Sequence, residues 1–175
     1  MPNPVTRLFW KAAIRLRWLL PSKKASGVEI GRRIPDFALS NAEGRSFRLS
    51  SVFPDKAAVL WLTNLCSSCQ ERIPLLERVY SEKRKNLEIF AISTLGDDRR
   101  TPEIIAAEHH PSFPLLLDPK DWVKNTLGLE HPSGACPMYN LLMLDRSGRV
   151  RLRHHLSAIP DERFLKELDS LLEAA

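Results

Sequence analysis

Three cysteines stand in this 175-residue chain: Cys66, Cys69 and Cys136. The first two make a Cys-Ser-Ser-Cys motif, a spacing that serves thiol–disulfide chemistry or half of a zinc site. Zinc would need two further ligands. His131 with Cys136, or His109 with His110, are the available residues, and neither pair repeats a CxxC-like spacing. Dithiol chemistry is the better reading, with no metal and no cofactor beyond the two thiols. A thiolate is the attacking species in such chemistry, and a neighbouring thiol resolves the mixed disulfide. Cys66 is the expected nucleophile and Cys69 the more buried resolving thiol.

The elements that must position this pair follow from local pattern. Residues 57–62 form an unbroken apolar run, as in a strand buried on both faces, and a helix is expected over residues 67–84. Cys66 then lies at a helix N-terminus, where unpaired N–H groups and the helix dipole favour negative charge. Residues 87–93 read as the next buried strand, 101–109 as a helix with Pro102 in its first turn, and 114–117 as a short strand. A short helix over 121–127, a hairpin over 141–145 and 150–154, and a helix over 160–172 complete the pattern. An earlier hairpin over 34–49 turns at Asn41-Ala42-Glu43-Gly44. Helices alternating with strands, and hairpins at both ends, imply an α/β domain with a mixed sheet flanked by helices.

Composition narrows the class further. A hydrophobic fraction of 43% and a charged fraction of 27% are ordinary for a globular protein. The net charge of +5 is placed unevenly: residues 1–28 hold Arg7, Lys11, Arg15, Arg17, Lys23 and Lys24 and no acid, leaving 20 basic against 21 acidic groups elsewhere. The basic pI belongs to the tail, so no nucleic-acid partner is expected. The chain divides into a basic amphipathic tail and linker (1–28) and a folded domain (29–175).

Within residues 5–20, Arg7, Lys11, Arg15 and Arg17 fall on one arc of roughly 160° of a helix, in a stretch dense with apolar residues such as Leu8, Phe9, Trp10 and Trp18. Sixteen helical residues reach about 24 Å, short of a hydrocarbon core of about 30 Å. The segment suits a membrane interface or a membrane-protein complex. Packing on its own domain and a targeting role are the alternatives, although Arg15 and Arg17 interrupt any secretory h-region. The cytoplasmic face of a membrane is expected, with the periplasmic face as the alternative.

At this point the chain resembles a known family. Gly31-Arg32-Arg33-Ile34-Pro35-Asp36-Phe37-Ala38-Leu39, then Gly44 and Leu49-Ser50-Ser51-Val52, look like the opening of the redoxin group of the thioredoxin-like superfamily. Val59-Leu60-Trp61-Leu62-Thr63-Asn64-Leu65-Cys66-Ser67-Ser68-Cys69 and the residues through Glu77 are similar to the active-site run of TlpA/ResA-like thiol–disulfide oxidoreductases, which are related to peroxiredoxins. The resemblance covers about residues 30–172 and implies a thioredoxin-like fold, with exchange of protein disulfides or dithiols at Cys66 and Cys69.

Departures from the family pattern mark further site residues. Arg72 stands where relatives often carry Glu, and a cation there would favour the Cys66 thiolate or else face water. The fold implies a cis-proline beside the motif. Pro137 is the choice, although strict spacing would place Tyr139 there. Pro137 in that position puts Cys136 beside the dithiol, as a third redox-active sulfur or a buried structural cysteine. Thr63 with Cys66 matches the Thr-x-x-Cys of peroxiredoxins, but Val59 replaces the expected proline and no Arg precedes the strand at residue 141. Thiol peroxidase and accessory subunit of a membrane assembly therefore stand as alternatives to disulfide exchange. His154 and His155 are expected to face solvent, His109 and His110 to meet the last carbonyls of their helix, Trp61 to lie in the core, and Trp122 to lie in the core or over the site.

Overall fold

The structure is a computed structural model that describes residues 28–129 and 135–173. The tail expected to form an amphipathic helix lies outside the described residues, as does His131.

Among the described residues seven strands form one mixed sheet in the order β2-β1-β5-β4-β3-β6-β7. They are β1 (Ala38–Asn41), β2 (Ser46–Arg48), β3 (Ala57–Thr63), β4 (Leu87–Ser93), β5 (Leu115–Leu117), β6 (Leu141–Leu144) and β7 (Val150–His154). The central strands β3, β4 and β5 run parallel, whereas β1–β2, β1–β5, β3–β6 and β6–β7 pair antiparallel. The mixed sheet and both hairpins agree with the sequence reading.

Strand geometry explains the core. Successive side chains point to opposite faces, so β3 sends Val59 and Trp61 into one apolar cluster and Ala58, Leu60 and Leu62 into the other. Because helices or loops cover both faces, every residue of β3 is buried. The first face carries α2 (Ile73–Lys83), α3 (Arg100–His109) and α5 (Asp161–Glu173), through Leu76, Ile105 and Phe164. The second carries α4 (Trp122–Thr126) through Val123, together with Ile34, Phe37 and Leu49. Trp61 is core, as expected, while Trp122 is about half exposed.

The single helix expected over residues 67–84 is divided. A short α1 (Ser67–Gln70) ends at Glu71 and Arg72, and α2 begins at Ile73 with Pro74 in its first turn. Proline has no N–H to donate, and its ring crowds the carbonyl four residues back, so a continuous helix is broken there.

The two histidines at the end of β7 overturn another expectation. His154 and His155 are buried, each 8% exposed. His154 follows Val150 and Leu152 on the buried side of β7 and pairs with Leu141 of β6, while His155 lies just beyond the strand. His154 Nδ1 accepts the backbone N–H of His155 at 2.9 Å, and His155 Nδ1 accepts that of Ser157 at 3.3 Å. Burial, with a lesser contribution from His154, brings His155 down to about 4. The unfolded chain therefore binds this proton more readily than the folded one. Stability is full above the ordinary imidazole range and falls as pH drops from about 6.5 towards 4. The loss from His155 is about 3 kcal/mol by pH 4. Urea unfolding at pH 7 and pH 4 measures it. His155→Gln is expected to show a drop smaller by about that amount, and an unchanged drop would refute the assignment.

Candidate active site

The site lies where β3 leaves the sheet and turns into α1. Thr63 ends the strand fully buried, and its Oγ1 accepts the N–H of Leu65 at 3.0 Å. This hydroxyl thus shapes the turn. Leu65 adopts φ 56°, a left-handed conformation that costs a non-glycine residue about 1 kcal/mol. Its side chain is nevertheless 3% exposed, packed in the first apolar cluster, and its carbonyl accepts Gln70 Nε2 at 2.7 Å. Burial and two hydrogen bonds hold the strained residue in place, and the chain beyond it turns Cys66 outwards.

Cys66 is exposed and caps α1 with an extended backbone, while Cys69 is buried, 1% exposed. Their sulfurs are 3.5 Å apart. The Cys66 thiol is brought down to about 6. Its largest cause is the hydrogen bond from the Cys69 thiol, followed, against partial burial, by the N–H groups of Cys69, Ser68 and Cys66 itself at the helix start. Those amides stand at the start of α1, where their dipoles favour a thiolate over a thiol. Cys69 moves the opposite way. The hydrogen bonds to Cys136 and to Cys66, then its own burial, push its thiol well above the ordinary range. One acidic, exposed sulfur therefore stands in front of one that stays protonated.

Cys136 enters this site from a loop 67 residues along the chain, with its sulfur 3.4 Å from that of Cys69. Pro137 follows it and is buried. The expected cis bond is not there: among the described residues the cis peptide joins Phe53 to Pro54, and the bond before Pro137 is trans. Tyr139 lies under the Arg153 guanidinium, 4.4 Å from ring centre to cation, and packs against the second cluster. Cys136 packs against the first cluster, on the side of the dithiol.

Arg72 does not serve the thiolate. Its guanidinium pairs with Asp161 at the start of α5 at 2.6 Å, with 16% of the side chain exposed. The break between α1 and α2 points it towards α5, where it joins the motif helix to the C-terminal helix. It is largely withdrawn from open water.

Sequence reasoning missed Asn64. Its side-chain Oδ1 accepts the Cys66 N–H at 3.3 Å and lies 3.0 Å from the Cys136 sulfur and 3.6 Å from that of Cys69. Its backbone N–H donates to the Cys136 sulfur at 3.2 Å. One amide residue thereby touches two sulfurs and the backbone of the third cysteine. Its position directly after a buried strand, two residues before a CxxC, was the available signal. Among the described residues no group of three or more His, Cys, Asp or Glu side chains is disposed to hold a metal ion.

Comparison with known proteins accords with this architecture. The chain is 26% identical over 127 residues to the thiol-disulfide oxidoreductase ResA of Geobacillus thermodenitrificans, covering 72% of this chain and 69% of that one. Among solved structures it superposes on peroxidoxin BcpB of Mycobacterium tuberculosis with a TM-score of 0.69 and 22% identity, over 84% of this chain and 97% of that one. It also matches the thioredoxin domain of the thiol-disulfide oxidoreductase BVU-2223 of Bacteroides vulgatus, at a TM-score of 0.66 and 17% identity over 82% and 99% of the two chains. The fold is thioredoxin-like. Residues 30–153 match the AhpC/TSA family, to which this chain belongs.

Proposed function

We propose that the chain is a thiol–disulfide oxidoreductase that exchanges protein disulfides through Cys66 and Cys69, and that residues 5–20 dock it to a membrane or membrane complex. One observation carries the chemistry: an exposed sulfur that ionises at about 6 stands 3.5 Å from a buried, protonated one. At neutral pH the Cys66 thiolate attacks a substrate disulfide. One substrate sulfur leaves with the electron pair and a mixed disulfide remains. Cys69 gives up its proton and attacks Cys66 Sγ, the second substrate sulfur leaves, and Cys66–Cys69 closes as the substrate gains two electrons. The ResA relative and the redoxin-like run around the motif support this reading. No cofactor takes part.

Docking rests on the tail, whose cationic arc and dense Leu and Trp residues suit an anionic interface. A basic segment is drawn to the anionic cytoplasmic leaflet, which is the face we assign. The division into a tail (1–28) and a redoxin domain (29–175) belongs to the same proposal.

The pre-reduced full chain mixed with insulin tests the chemistry. One insulin disulfide should be reduced for each chain oxidised, while hydrogen peroxide is consumed no faster than by a free thiol. Rapid peroxide consumption without insulin reduction would instead identify a thiol peroxidase, the alternative suggested by Thr63 and Cys66. For docking, the full chain should float with phosphatidylglycerol vesicles and a chain lacking residues 1–24 should not. Equal behaviour of the two would refute the role of the tail.

A further inference from the structure

Disulfide exchange by Cys66 and Cys69 leaves Cys136 without a task, although its sulfur is as close to Cys69 as that of Cys66. We propose that Cys136 is a third redox-active thiol, which takes Cys69 over from Cys66 by internal exchange and so forms a second intramolecular disulfide, Cys69–Cys136. The proposal rests on the dithiol reading, because it uses the disulfide that reading creates.

Geometry carries the argument. Cys69 Sγ lies 3.5 Å from Cys66 Sγ and 3.4 Å from Cys136 Sγ. A disulfide is about 2.05 Å long, so either partner needs a closure of about 1.4 Å. Neither is favoured by distance. A cysteine kept only for packing would present its sulfur to carbon atoms. The sulfur of Cys136 instead meets the Cys69 sulfur, the Asn64 N–H at 3.2 Å and Asn64 Oδ1 at 3.0 Å. Asn64 also holds the N–H of Cys66, so one residue touches all three cysteines.

The electrostatics agree with this arrangement. The Cys136 thiol is drawn below its usual range, first by the hydrogen bond from Cys69, then, against burial, by the Asn64 N–H and the Asn140 side chain. Once Cys66–Cys69 has closed the Cys69 donor is gone, and the Asn64 N–H and the Asn140 side chain remain to favour the Cys136 thiolate, while Cys66 leaves as a thiolate at the start of α1. The Cys136 thiolate attacks Cys69 Sγ within the Cys66–Cys69 disulfide. The Cys69–Cys136 bond forms as Cys66–Cys69 breaks, and the electron pair departs on Cys66 Sγ. The number of disulfides and thiolates is unchanged, so no external oxidant or reductant is required. The product stores the disulfide in the interior and returns an exposed Cys66 thiolate to the surface. Attack by that thiolate on Cys69 reverses the step.

The test is a thiol map of the oxidised full chain. Wild-type protein is equilibrated with oxidised glutathione, acid-quenched, alkylated with iodoacetamide and digested for mass spectrometry. Both Cys66 and Cys136 should carry label, in separate molecules, with each of the two disulfides recovered. Label on Cys136 alone would overturn the proposal. In Cys66→Ser the two remaining thiols should both be lost on oxidation, as an intramolecular Cys69–Cys136 disulfide. Two free thiols in that variant would also overturn it. Failure of the dithiol reading looks different: Cys136→Ser, which should still close Cys66–Cys69, would then form no disulfide, and both readings would fall.

Discussion

Replacing Cys66 with serine is expected to slow insulin reduction by the pre-reduced protein by on the order of 10³-fold or more, the scale on which enzymes lose rate when the nucleophile is removed. The physical reason lies in the attacking atom. A serine hydroxyl does not ionise near neutral pH and cannot form the mixed disulfide from which Cys69 releases product. The loss is to be read as rate alone, since Cys66 is exposed and supports no core packing. Cys69, although still a thiol, is 1% exposed and held protonated, so it cannot take over attack on a protein substrate. The wild-type rate should in addition follow ionisation of Cys66. As pH rises through about 6 the thiolate fraction grows and the rate climbs, then levels off towards neutrality. Stopped-flow measurement between pH 5 and 9 covers the range. A rate untouched by Cys66→Ser, or one still climbing near the ordinary cysteine value of about 8.5, would remove Cys66 from its assigned role.

The second large effect is structural. Phe164 on α5 is fully buried against the first face of the sheet, in the same cluster as Trp61, Leu76 and Leu141. Phe164→Ala removes most of the ring's transfer free energy and leaves a cavity, together worth about 4 kcal/mol. For a domain of this size the midpoint of thermal unfolding should fall by about 10 °C. The site is expected to survive while the chain remains folded. Cys66 is positioned by β3, Asn64 and the first turn of α1, whereas α5 reaches the motif region through Arg72–Asp161 and the Ser157 contact to the Ser68 carbonyl. Calorimetry and insulin reduction at 25 °C separate the two. A drop under 1 kcal/mol would mean that α5 is not anchored by this residue, and loss of activity in the folded variant would mean that α5 positions the dithiol.

Much of the fold was legible because it rests on local pattern. β4 occupies residues 87–93 as its apolar run implies, and β3 extends the expected strand by Thr63 alone. Both strands are central, and a parallel strand covered on both faces reads as continuous hydrophobicity. The hairpins announce themselves by alternation and turn residues, and the motif by its place between a buried strand and a helix. The division between α1 and α2 was also written locally, in Pro74, but helical periodicity on both sides of it concealed the break.

Other features depend on residues far apart in the chain. The burial of His155, just past the end of β7, is one of these, whereas His154 continues the buried side of the strand after Val150 and Leu152. Arg72 is set by Asp161, 89 residues away, rather than by the thiolate six residues before it. The choice between Pro137 and Tyr139 beside the motif depended on the path of the loop before β6, which spacing to Asp145 could not settle.

The sequence by itself determined an α/β domain with a mixed sheet and a CxxC motif at a strand–helix junction, because period-two and helical burial, turn residues and the spacing of two thiols act over a few residues each, and the resemblance to the redoxin group added the thioredoxin-like fold. Only the tertiary structure decided which charges, amides and sulfurs surround that motif. It set Asn64 among three sulfurs, withdrew Arg72 to α5 and brought Cys136 within 3.4 Å of Cys69. Electrostatic and sulfur–sulfur interactions act over a few ångströms in space, and separation along the chain carries no record of that distance.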